Sequence, residues 1–116
     1  MPPQTPNVRY RASAEADLTA ITHYLIDKAG PATTRRFITR LRDACEMRAV
    51  FPEGATEVAP GIRAFPVGDY VVFYSPLDDG LDILAVKHAR RDLPRLLQRH
   101  MGRHRLPFPH RNPWPT

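Results

Sequence analysis

Two helical patterns meet at Gly30-Pro31 with nothing between them, and that junction restricts the fold more than any other feature of the chain. Upstream, Leu18, Ile21 and Leu25 recur at helical spacing, and Ala14 and Ala29 extend the stripe at either end, so one face is apolar. Ser13 is the expected N-cap, with Glu15 and Asp17 in the first turn, where the helix dipole favours acids. Downstream, Phe37, Ile38, Leu41, Ala44 and Cys45 share one face, while Arg35, Arg36, Arg40, Arg42 and Asp43 lie mainly elsewhere. Gly30 suits a helix end that requires positive φ, and Pro31 suits the first turn of a new helix. A connection this short folds the two helices back on each other as an antiparallel hairpin. The apolar side of such a hairpin must be buried against another layer.

The rest of the chain supplies that layer. Val8-Arg9-Tyr10-Arg11 alternates apolar and charged residues and predicts a short strand before the first helix. Phe51-Pro52-Glu53-Gly54 ends the hairpin, and the stretch through Pro60-Gly61 reads as loop. Ile62 to Val67 and Tyr70 to Tyr74 flank Gly68-Asp69, a two-residue connection suited to a type II′ hairpin turn. Pro66 is expected where the ladder needs no donor. A turn from Ser75 to Gly80 leads into a third run, Leu81 to His88. Val71-Val72-Phe73 suggests a strand covered on both faces. Asp92 to Arg99 is expected as a short final helix, with Asp92 as cap and Pro94 in its first turn. The order β-α-α-β-β-β-(α) predicts an α+β fold, with the N-terminal helical hairpin packed on a mainly antiparallel four-stranded sheet. Residues 1–7 read as an N-terminal extension, 8–101 as one domain, and 102–116 as an extended tail rich in Pro, Arg and His.

Composition narrows the function. With 116 residues, 42% of them hydrophobic, the chain can build one core but not two. Cys45 is the only cysteine; it reads as a small buried hydrophobe, because no neighbouring base would activate it. No signal-peptide pattern and no apolar run near the ~20 residues of a membrane span is present, so a cytoplasmic protein without a membrane partner is expected. The net charge of +5 is unevenly spread. From Lys87 onward the chain carries Lys87, Arg90, Arg91, Arg95, Arg99, Arg103, Arg105 and Arg111 against a single acid, Asp92. That asymmetry suggests an acidic partner, either nucleic acid or an acidic protein segment. His100, His104 and His110 lack metal-ligand company, and no glycine-rich phosphate loop or nucleophile elbow occurs, so neither a metal nor a cofactor is expected. Tyr10, Tyr24, Tyr70 and Tyr74 read as core or edge residues rather than stacking platforms, exposure being left open for Tyr70 beside the hairpin turn.

Four segments carry a resemblance. They are Ser13-Ala14-Glu15-Ala16-Asp17-Leu18, Pro60-Gly61-Ile62-Arg63-Ala64-Phe65-Pro66-Val67-Gly68-Asp69-Tyr70, Val72-Phe73-Tyr74 and Val86-Lys87-His88-Ala89-Arg90-Arg91-Asp92-Leu93. In this order and spacing the chain, over about residues 8–97, resembles the ParE/RelE toxin superfamily of bacterial type II toxin–antitoxin pairs. The Pro-Gly-Ile-Arg approach to the hairpin and the His-x-x-Arg-Asp end of the last strand are more ParE-like than RelE-like. The resemblance implies a cognate, ParD-like antitoxin that wraps the toxin. It also implies one of two activities on a shared scaffold: poisoning of DNA gyrase, or ribosome-dependent cleavage of messenger RNA.

Each activity makes its own demand on the residues. A gyrase poison needs no catalytic set, only a surface, and Lys87, His88, Arg90, Arg91, Arg95 and Arg99 are the expected target-binding residues, meeting an acidic protein surface or the DNA held there. The competing reading of that stretch is a solvated face with Arg90 paired to Asp92. A nuclease would use Arg63 on phosphate and His88 as acid or base, with Arg90 and Lys87 on phosphate oxygens. Glu53 or Glu57 could stand in as base, but the lysine cluster usual before that arginine is missing. A third reading is a non-toxic binding module on the same scaffold. For the antitoxin, a channel over the helical hairpin is expected if Leu25, Phe37 or Leu41 stays partly exposed; if all three are buried, the partner docks elsewhere.

Overall fold

A computed structural model describes residues 7–92 of the chain. The element order is β1 (Asn7–Tyr10), α1 (Ala12–Ala29), α2 (Pro31–Val50), β2 (Thr56–Ala59), β3 (Ile62–Val67), β4 (Tyr70–Leu77) and β5 (Gly80–His88). The expected final helix and the tail 102–116 lie outside the described residues, apart from Asp92.

The hairpin forms as its junction dictates. Gly30 has φ 85° and donates its N–H to Ile26 O, closing α1, and Pro31 opens α2 where a missing N–H costs nothing. The Thr34 hydroxyl, buried in the first turn of α2, donates back to Gly30 O at 2.8 Å. Ala14, Leu18 and Ile21 of α1, with Leu41, Cys45 and Ala49 of α2, bury against Phe65, Val67, Val72, Tyr74, Leu81, Ile83 and Val86 of the sheet. Burial of this apolar face, at roughly 25 cal/mol per Å², is the main stabilising term of the fold.

The sheet has five strands rather than the four expected, in the order β1-β5-β4-β3-β2. The additional strand is β2, from the stretch read as loop. It pairs antiparallel with β3 through a register shift between Glu57 and Ala59. Thr56, Glu57 and Ala59 are exposed, so no apolar alternation marks it in the sequence. The β3–β4–β5 meander is antiparallel, and Gly68, at φ 59°, starts the two-residue turn between the register partners Val67 and Tyr70. β1 pairs in parallel with β5, so the sheet is mixed. Val71, read as covered, is fully buried, but among the described residues no second helical layer covers it. It packs with Ala64 in a small cluster on the reverse face, together with Val58, Phe73 and Ala89.

β1 pairs with β5 only over Gly80 to Ile83, and the outer edge of β5 continues beyond it. Side chains take the place of a neighbouring strand there. Ser13 donates its hydroxyl to Leu84 O at 2.6 Å, Asp17 Oδ2 accepts from Val86 N–H at 2.9 Å, and Asp92 Oδ2 accepts from His88 N–H at 2.8 Å. Ser13 is thus not the N-cap of α1, a position held by Arg11, and Asp17 does more than complement a dipole. Both fix α1 against β5 and thereby position the end of β5.

Candidate functional site: the basic exit of β5

The residues nominated for target binding converge where β5 ends. Lys87 Nζ lies 3.0 Å from Asp17 Oδ1, so its charge is paired across to α1. His88 Nδ1 accepts from the amides of Arg90 and Arg91, at 3.2 and 3.1 Å, and its ring stands edge-on to Tyr70 with centroids 5.1 Å apart. An Nδ1 that accepts two N–H groups leaves the proton of the neutral imidazole on Nε2. The Asp92 amide donates to His88 O at 2.9 Å, and Ala89 N–H donates to Asp69 O at 2.9 Å, tying this turn to the β3–β4 turn.

Arg91, not Arg90, is the arginine beside Asp92: its Nε lies 3.5 Å from Asp92 Oδ1, and its guanidinium sits 4.6 Å from the centre of the Tyr24 ring on α1. Arg90 is exposed and has no side-chain partner among the described residues. Arg95 and Arg99 fall outside those residues.

Tyr70, read as a core or edge residue with exposure left open, is 4% exposed, held between Phe37 at 5.3 Å and His88. Its position at the turn is the reason, since Val67↔Tyr70 closes the hairpin facing the helices. Its hydroxyl is buried and has no hydrogen-bond partner among the described residues; burial raises its pKa, and the nearby Arg91 guanidinium partly opposes that rise. Tyr74 is also in the core and donates its hydroxyl to Pro52 O. Tyr10 packs partly buried beside Cys45, with Arg42 4.9 Å from its ring centre. Cys45 is fully buried, and burial pushes its thiol up to about 11, which leaves it unreactive near neutral pH.

The nuclease set does not come together. Arg63 Nη1 donates to Glu53 O and Ala55 O, at 3.0 and 2.6 Å, so it braces the loop ahead of β2. Its register partner on β4 is Tyr74, whereas that of His88 is Tyr70, and β3 and β5 flank β4 on opposite sides. At the usual strand rise and spacing, Arg63 and His88 are about 13 Å apart along the sheet and about 10 Å across it. No single phosphate bridges that gap. Glu57 Oε2 accepts from Gly61 N–H, as a loop-stabilising acceptor rather than a base beside His88. Among the described residues no group of three or more His, Cys, Asp or Glu is placed to hold a metal ion.

Of the three residues expected to line an antitoxin channel, Leu41 is fully buried and offers a partner nothing, because its position in α2 faces the sheet. Leu25 and Phe37 are half-buried and pack on the core. The apolar side chains that are exposed are different ones. Met47, Val50 and Phe51, at 74, 56 and 71% exposure, cluster at the end of α2, and Tyr24 and Ile26 lie at the far end of α1. Helical periodicity alone identifies them only as residues off the core stripe. A groove of about 190 Å³ also runs between the helices, lined by Leu18, Thr22, Ile38 and Arg42 among others.

The fold and site together define a class: a small α+β scaffold that presents a basic strand exit and a solvent-facing helical hairpin. Residues 8–93 match the model of the ParE toxin of the type II toxin–antitoxin system parDE, and the chain belongs to that family. Among solved structures, a chain of the chromosomal ParDE toxin–antitoxin system from P. aeruginosa is similar, with a TM-score of 0.62 and 18% identity over 72% of this chain and 96% of that one. At that identity the likeness speaks to the fold. No curated protein matches the chain. No helix among the described residues is long and apolar enough to cross a membrane.

Proposed function

We propose that this ParE-family toxin poisons DNA gyrase in the cytoplasm and is neutralised by a cognate, ParD-like antitoxin. The carrying observation is the family match over residues 8–93, and the geometry of the site is in keeping with it. Arg63 and His88 stand at opposite ends of the meander, which argues against RNA cleavage, while the cations gather at the exit of β5. Arg90 is the foremost target contact among the described residues, and Arg95 and Arg99 extend the same basic stretch. The antitoxin covers apolar surface of the hairpin. Leu25 and Phe37 contribute at its margin, and Met47, Val50 and Phe51 supply the larger exposed area.

Induced expression in bacteria tests the reading. Growth should arrest with a DNA-damage response and chromosomal breaks, and co-expression of a protein encoded beside the toxin should relieve it. Arrest with intact DNA and fragmented message would point to the nuclease instead. Normal growth at high expression would point to a binding module.

A further inference from the structure

The chain leaves the sheet at His88 through a turn at residues 88–92 that carries Arg90 and Arg91, so whatever fixes that turn also places these two cations. Most of the bonds that shape this turn are local. Ala89 N–H reaches Asp69 O, the Arg90 and Arg91 amides share His88 Nδ1, and Asp92 bonds back to His88 through both its amide and its carboxylate. They set the form of the turn and tie it to the neighbouring hairpin, but none reaches the helical layer.

The Arg91 side chain does. Its guanidinium lies over the Tyr24 ring of α1, with its Nε 3.5 Å from the Asp92 carboxylate, and beside the Tyr70 hydroxyl, which is buried and unpartnered among the described residues. Tyr24 is one of the few large apolar side chains on the described surface, and its exposed ring is the one this cation covers. Arg90, one residue earlier, is exposed and free of side-chain partners among the described residues. Two adjacent arginines thus occupy opposite situations.

We infer that Arg91 is a positioning residue, clamping the exit of β5 to α1 through Tyr24 so that the turn at residues 88–92 keeps one geometry, while Arg90 is left to meet the target. This rests on the proposed function for its target readout only. A clamp of this kind depends on a planar cation over a ring, so lysine replaces its charge but not its stacking or its forked geometry. A direct contact with an anionic surface behaves the other way, because charge is most of what it supplies.

The experiment compares Tyr24→Leu, Arg91→Lys, Arg90→Lys and Arg90→Ala in the full chain, each first confirmed to be folded by thermal melting. Tyr24→Leu removes no charge at all. The first readout, independent of any target, is amide hydrogen exchange at Ala89 to Asp92. Exchange should quicken about threefold in Tyr24→Leu and Arg91→Lys, the loss expected for one exposed cation–π contact, and stay unchanged in both Arg90 variants. The second readout is the toxin concentration that gives half-maximal gyrase-cleaved DNA. It should rise in Tyr24→Leu, Arg91→Lys and Arg90→Ala, less in Arg90→Lys than in Arg90→Ala, and only Arg90→Ala should lower the salt slope, by about one. Unaltered exchange in Tyr24→Leu and Arg91→Lys would overturn the clamp. So would full gyrase activity in those two variants. A parent chain inert toward gyrase, with exchange quickened in the same two variants, would retire the target and keep the clamp.

Discussion

Replacing Asp17 by alanine tests how α1 is fastened to β5. One carboxylate oxygen accepts from the Val86 amide at 2.9 Å, the other from Lys87 Nζ at 3.0 Å, and the Asp17 side chain is 18% exposed. Hydrogen bonds to a charged group contribute about 1.5–3 kcal/mol each, and an amide left without a partner costs about 1–3 kcal/mol. The Lys87 contact is the weaker half, because its side chain is 31% exposed and water screens it. Asp17→Ala should therefore destabilise the fold by about 2–3 kcal/mol, nearly all of it from the Val86 amide. For a domain of this size that lowers the melting temperature by about 10 °C or more. Asp17→Asn keeps one acceptor oxygen and should lose about half as much, and Lys87→Met should lose under about 1 kcal/mol. Urea unfolding of the variants, with a double-mutant cycle between Asp17 and Lys87, measures each share. A loss below about 0.5 kcal/mol in Asp17→Ala would refute the reasoning, because water would then be satisfying the edge of β5 as well as the carboxylate does.

Other consequences are sharper at single positions. A Cβ at Gly80 would collide with the Asn7 backbone carbonyl, so Gly80→Ala should separate β1 from β5 and cost several kcal/mol, on the order of 3 or more, read by chemical denaturation. Leu41→Ala should cost about 2–5 kcal/mol as a core cavity, and a much smaller loss would mean that α2 does not pack as described. Arg63→Ala should lower stability by about 1–2 kcal/mol through the two loop carbonyls it releases, without abolishing growth arrest; loss of arrest at unchanged stability would revive the nuclease. The Cys45 thiol is raised from 9.0 to about 11 in the fold, so above pH 9 the unfolded chain ionises first and is favoured. That contribution is complete below pH 9 and is lost as pH rises toward 11, and Cys45→Ala should flatten the stability profile over this interval.

What was legible in the sequence were the local patterns. Gly30-Pro31 and the two apolar stripes specify the hairpin, and Val67-Gly68-Asp69-Tyr70 specifies the central turn, because each rests on residues a few positions apart. β2 was hidden because only Val58 of its four residues packs inward, and an edge strand held by one ladder needs no apolar alternation. The parallel pairing of β1 with β5 depends on segments far apart in the chain, which no local pattern records. The candidate site followed the same division. The basic run ending β5 could be read directly, but which arginine it commits to Tyr24 depends on where α1 lies. The fate of Arg63 was likewise set by loop carbonyls at Glu53 and Ala55, which carry no side-chain signature. The exposure of Leu41 and Tyr70 stayed open for one reason: exposure at a helix face or a turn depends on the layer packed against it.

The most direct test of the central claim uses purified chain with DNA gyrase, supercoiled DNA and ATP, scored for cleaved DNA trapped on the enzyme. The account predicts cleaved DNA that rises with toxin concentration, weakens in Arg90→Ala, and disappears when the cognate antitoxin is added first. Absence of trapped cleavage at large toxin excess, under conditions where the same preparation cuts ribosome-bound message, would contradict it.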